Sequence, residues 1–117
     1  MPLIKVHYAG ETQTEQLNQL TAVLSKILSS VLGKSEDFIM VIFQKTESQS
    51  FGCDLSLPSL YAEVKNVGFI STEISNQLSM DLTNALVESF DVSASRIYIE
   101  FQESERHHWG WNGKTFQ

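Results

Sequence analysis

This 117-residue chain contains one cysteine, two prolines and eight basic residues. Cys53 has no partner, so an internal disulfide and a Cys-x-x-Cys redox or zinc pair are both excluded; it reads as a buried or incidental thiol. Lys and Arg number 8 against 14 Asp and Glu, giving a net charge of −6, and the basic residues are scattered. A nucleic-acid surface needs clustered cations to neutralise phosphates, so no nucleic-acid partner is expected. The chain lacks any run of about 18 apolar residues, which argues against a membrane span. It also lacks a basic segment followed by an apolar stretch and a small-residue cleavage site, so the default compartment is the cytoplasm. Three histidines, His7, His107 and His108, fit no common zinc spacing, so neither a metal nor a cofactor is expected.

What is present is a globular composition, 42% hydrophobic and 19% charged, long enough to bury a core as one domain over residues 1–117. From Thr12 to Val31, Leu17, Leu20, Leu24, Ile27, Leu28 and Val31 recur at helical intervals. Thr12 and Glu15 have capping-box spacing at the start of that helix, and Gly33 stands where a left-handed C-cap belongs. Phe38 to Phe43 is six apolar residues in a row, too short for a typical helix, and reads as a buried central strand. Gln44 to Ser56 is polar and turn-rich. The pattern then repeats: strand-like Leu57 to Val67, a helical stripe over Thr72 to Phe90, and alternation over Arg96 to Gln102. The loop-to-strand run starting at Gly33 is restated 58 residues later at Asp91. Two strand-helix-strand units with right-handed crossovers predict an α/β (α+β) fold, a four-stranded sheet with both helices on one face. The other face would then be uncovered and apolar, which predicts association with further copies of the chain. The aromatic tail Trp109, Trp111 and Phe116 needs a place to bury, which predicts an extra short strand or hairpin reaching a neighbouring subunit.

Pro2 carries the chemical interest. Proline directly after Met1 becomes a free secondary amine once the methionine is removed, and Leu3 to Tyr8 is a strand-like run that would anchor that terminus in a sheet.

The chain resembles the macrophage migration inhibitory factor family of the tautomerase superfamily from end to end. The resemblance rests on the Met-Pro start, Gly33-Lys34, Ser50-Phe51-Gly52, Val67-Gly68, Arg96-Ile97-Tyr98-Ile99, Gly110-Trp111-Asn112 and Thr115-Phe116. It implies a homotrimer with sites between neighbouring subunits. It also implies a keto-enol tautomerase of the phenylpyruvate or dopachrome type, acting on aromatic α-keto acids or their enols. By the same resemblance Pro2 is the catalytic base, and Lys34, Val67, Tyr98 from an adjacent subunit, Trp111 and Phe116 bind substrate. Two departures fall among these positions: Glu100 replaces an asparagine of mammalian members, adding a negative charge at the mouth, and Trp109 replaces a smaller aliphatic residue. The mammalian Cys-x-x-Cys is absent, and loop residues linked to receptor recognition do not match, so neither thiol chemistry nor receptor binding is carried over. The competing reading is a non-enzymatic, cytokine-like interaction module with a vestigial pocket. Secretion without a leader is compatible with either.

Overall fold

The computed structural model describes residues 1–117. Strand β1 (Leu3–Ala9) leads into helix α1 (Thr14–Leu32), a 3-10 turn (Glu36–Phe38) and β2 (Met40–Thr46). Then β3 (Leu60–Val67), helix α2 (Thr72–Phe90), a second 3-10 turn (Ala94–Arg96) and β4 (Ile97–Ser104) repeat that plan. A third 3-10 turn (Arg106–His108) precedes a small hairpin of β5 (Gly110–Trp111) and β6 (Lys114–Thr115). The four long strands form one sheet in the order β2-β1-β3-β4. Each unit supplies a parallel pair, β1 with β2 and β3 with β4, and β1 and β3 join them antiparallel at the centre.

Alternation along the central strands decides which face meets the helices. Ile4, Val6 and Tyr8 of β1 and Leu60, Ala62 and Val64 of β3 are buried against Leu20, Leu24 and Leu28 of α1 and Leu78, Leu82 and Leu86 of α2. Leucines at four-residue intervals form one stripe on each helix, as a helix with a single buried face requires. No helix is long and apolar enough to cross a membrane.

Several local expectations are corrected. The α1 N-cap is Gln13, with no side-chain cap. The helix starts at Thr14, so Thr12 lies outside it and the reciprocal box with Glu15 cannot form. By contrast, the Ser71 hydroxyl of α2 accepts from the Ile74 amide at 3.2 Å. Phe38 belongs to the 3-10 turn, which Ser35 caps by accepting from the Asp37 amide. The strand that follows is at an edge of the sheet, not its centre. Its apolar run is divided: Val41 and Phe43 pair with the core positions Ile4 and Val6, while Met40 and Ile42 pair with Leu3 and Lys5 on the other face. Strand β3 begins at Leu60, after Pro58, and β4 is displaced to Ile97–Ser104. The polar interval is partly ordered, because β2 runs to Thr46 and Phe51 bridges Asp54. Cys53 is exposed, so the thiol is not part of the core.

The helix-free face of the sheet is not the apolar surface expected. It carries Lys5, His7, Glu63, Lys65, Glu100 and Gln102 beside Leu3, Met40 and Ile42. His7 Nε2 and the Glu63 carboxylate form a hydrogen bond at 2.7 Å, and the Tyr61 hydroxyl donates to Glu100 at 2.5 Å.

Candidate active site

Pro2 is buried, and its carbonyl accepts from the Met40 amide at 3.2 Å, so the chain start is tied into the sheet. It opens on a cavity of about 290 Å³ whose walls include Met1, Phe38, Trp109, Trp111 and Phe116. The terminal hairpin builds this wall. Asn112 and Gly113 both take positive φ, 53° and 84°, as a tight two-residue turn between twisted strands requires. The Phe116 amide then donates to the Trp109 carbonyl at 3.1 Å. Phe38 meets Trp111 edge-on, with ring centroids 5.3 Å apart, and Trp111 lies parallel to Phe116 at 6.3 Å. Edge-to-face and offset pairs of this kind are favourable for aromatic quadrupoles.

A second cavity, of about 200 Å³, adjoins the first through Met1 and Phe116, and its remaining walls are Lys34, Val67 and Arg106. Gly33 ends α1 at φ 67°, and Ser29 binds the chain that turns back: its carbonyl accepts from the Lys34 amide and its hydroxyl donates to the Lys34 carbonyl. The Lys34 ammonium donates to the Val67 carbonyl at 3.2 Å. Gly68 follows at φ +123°, a conformation open to glycine, with Lys34 Nζ 3.9 Å from where a Cβ would stand. Burial, and after it the Lys34 ammonium, holds the Met1 amine below its ordinary value of 8.0. Met1 therefore separates an aromatic compartment from a cationic one, with Pro2 directly behind it.

The structure thus brings together Pro2, Trp109, Trp111 and Phe116 in one compartment and Lys34, Val67 and Phe116 in the other. It does not bring Tyr98 or Glu100 to either. Tyr98 is 67% exposed and packs on Phe51, with centroids 4.9 Å apart, at the end of β1 away from Pro2. There it lines a separate cavity of about 430 Å³ with His7 and Tyr61. Glu100 is occupied by Tyr61, whose phenol is pushed up to about 12, mainly by that hydrogen bond. Within one subunit, then, Glu100 lies on β4, two strands from β1, which Pro2 precedes, and lines neither compartment. The cavity beside Tyr98 lacks the chain-terminal amine, and its titratable walls are His7, Tyr61 and Tyr98.

Sequence reasoning missed Phe38 and Arg106. Phe38, the first residue of an apolar strand-like run, stands instead in a 3-10 turn and packs on Trp111. Arg106 gave one signal, a basic residue directly before the aromatic tail; its Nε donates to the Phe116 carbonyl at 2.9 Å and so helps to hold that ring.

Known proteins share this fold. The family model described as macrophage migration inhibitory factor (MIF) matches residues 1–117. The crystal structure of a macrophage migration inhibitory factor homologue from Prochlorococcus marinus superimposes with a TM-score of 0.91 at 30% identity, over 98% of this chain and 99% of that one. Macrophage migration inhibitory factor of Xenopus tropicalis is 29% identical over 97 residues, 83% of this chain and 84% of the relative. A homolog from Brugia malayi is 25% identical over 113 residues, 94% of this chain and 97% of the relative.

Proposed function

The chain belongs to the macrophage migration inhibitory factor family, and from that premise we propose that it is a keto-enol tautomerase whose base is the free amine of Pro2. Membership supports a tautomerase or MIF-like role; the observation that carries the enzymatic reading is the position of Pro2, buried in the wall of the aromatic compartment and bonded to Met1, which borders both that compartment and the cationic one.

The chemistry follows from those surroundings. A neutral amine is needed to take a proton from the carbon beside a carbonyl. The C–H electron pair becomes the C=C bond, the carbonyl oxygen becomes an enolate, and the prolinium returns the proton to that oxygen. In water a chain-terminal amine is mostly protonated near neutrality. Burial and a nearby ammonium both disfavour a second positive charge, and both already act on the Met1 amine. Removal of Met1 joins the two compartments and exposes the Pro2 nitrogen to the same influences. The Lys34 ammonium then holds the substrate carboxylate by a charge-assisted hydrogen bond, and Trp109, Trp111 and Phe116 pack on an aromatic ring. Substrates of this form are phenylpyruvate and, as a dopachrome-type isomerisation, dopachrome or its ester.

The working unit we propose is a homotrimer, in which Tyr98 and Glu100 of one subunit reach the site of the next. Exposed Met40, Tyr98 and Trp111, 49% to 67% accessible, support burial between copies. The experiment compares Met1-free protein with the same chain retaining Met1. The free form turns over phenylpyruvate and dopachrome methyl ester on the order of 10²-fold faster or more, and light scattering gives a trimer mass for both. Equal rates remove Pro2 from the mechanism.

A further inference from the structure

We propose that Arg106 is a second substrate-binding cation, which grips the carboxylate of an aromatic α-keto acid jointly with Lys34. The inference rests on the tautomerase reading and deepens it by fixing which end of the substrate lies on which side of Pro2.

Arg106 and Lys34 line the same small cavity, and Met1 and Phe116 connect that cavity to the aromatic one. The Arg106 guanidinium is only partly used within the chain. Its Nε–H donates to the Phe116 carbonyl, but Nη1 and Nη2 have no protein acceptor, and no carboxylate pairs with it within 4 Å although Glu105 is its neighbour in sequence. The other clamping arginine shows the contrast: Arg96 commits Nε, Nη1 and Nη2 to four backbone carbonyls. A guanidinium tethered by Nε presents its two terminal nitrogens as a fork, which matches the two oxygens of a carboxylate. Arg106 stands exposed at the rim, and the cation acting on the chain-terminal amine is Lys34. The two cations therefore divide the work: Lys34 acts on the chain-terminal amine, and Arg106 meets the outer side of the carboxylate. The substrate ring then lies toward Trp111 and Phe38, and its acidic carbon chain toward Arg106. Two cations on one carboxylate also allow an acidic substrate to bind a chain of net charge −6.

The tether to Phe116 gives Arg106 a structural use, so the test separates the two roles. Met1-free wild type, Arg106→Ala and Arg106→Gln are assayed on phenylpyruvate and on its methyl ester; glutamine keeps an N–H for the Phe116 carbonyl and removes the charge. Both variants should raise KM for the acid by about tenfold, as expected for a lost charge-assisted contact, and change the ester by less than about twofold. An equal loss on both substrates, or no loss on either, overturns the proposal. Calorimetry with 3-phenylpropanoate, which cannot tautomerise, reads the same contact without turnover. Weaker binding by both variants supports Arg106 even if the wild type converts neither substrate, in which case the tautomerase reading fails alone. A wild type that does not bind 3-phenylpropanoate, or binds it no better than the variants, overturns the proposal.

Discussion

The two βαβ units share one scaffold and differ in chemistry. Helix α1 runs Thr14–Leu32 and α2 runs Thr72–Phe90, so both ends are offset by 58 positions. The left-handed caps Gly33 and Asp91 and the 3-10 turns at Glu36 and Ala94 keep the same offset. At that spacing Pro2 corresponds to Leu60, Lys34 to Val92 and Phe38 to Arg96. Leu60 and Val92 are buried core residues, 4% and 3% exposed. Arg96 fastens the segment from Phe51 to Pro58 through backbone carbonyls, where Phe38 instead packs on Trp111. The repeated positions specify the fold, and the candidate site lies where the repeat is broken: a chain start, a lysine and an aromatic occupy places that in the second unit serve packing and loop anchoring.

The contrast can be tested one position at a time. Pro2→Ala should lower kcat/KM on the order of 10²- to 10⁴-fold, as for loss of a positioned base, with thermal unfolding little changed. A rate within a few fold of wild type would make Pro2 a scaffold residue like Leu60. Arg96→Ala acts in the opposite way. Loss of hydrogen bonds from a charged group, each worth about 1.5–3 kcal/mol, should lower stability by at least about 2 kcal/mol in denaturant unfolding and free the 51–58 segment to proteolysis. Turnover per folded subunit should fall less than in Pro2→Ala, unless that segment of a neighbouring copy shapes the site. Lys34→Val, which installs the second unit's residue, should cost about 10- to 100-fold on phenylpyruvate and less on a neutral ester, because only the ester binds without a carboxylate contact. Equal losses would confine Lys34 to its bond with the Val67 carbonyl.

How far the sequence could be read follows the same division. Helix α2 is bounded where its apolar stripe places it, Thr72 to Phe90, because that signal is local. The same holds for the left-handed turn at Gly33. Strand β2 was legible as a strand but not as an edge, since an unbroken apolar run hides which of Met40, Val41, Ile42 and Phe43 meets the helices; only the register with β1 reveals it. The charged sheet face was hidden for a related reason: Lys5, His7, Glu63 and Glu100 are far apart in sequence and become neighbours through strand pairing. Of the candidate site, Pro2, Lys34, Val67, Trp109, Trp111 and Phe116 converge in one region, whereas Tyr98 and Glu100 stand apart from it within a subunit. Phe38 and Arg106 enter only through the folded tail, whose Asn112-Gly113 turn sets where the aromatic wall stands.

The central claim is that the first unit holds a free, neutral amine where the second holds a leucine. Titration of Met1-free protein carrying ¹⁵N-proline reads it directly, because the Pro2 nitrogen signal reports its own protonation. Burial and Lys34 hold the amine in front of Pro2 below its ordinary value of 8.0, so the Pro2 signal should titrate below that value as well. Activity, absent while the amine is protonated, should rise with pH through the same midpoint, and Lys34→Val should move both upward together. A Pro2 nitrogen that titrates at or above the ordinary amine value, or a rate profile that ignores its titration, would contradict the account.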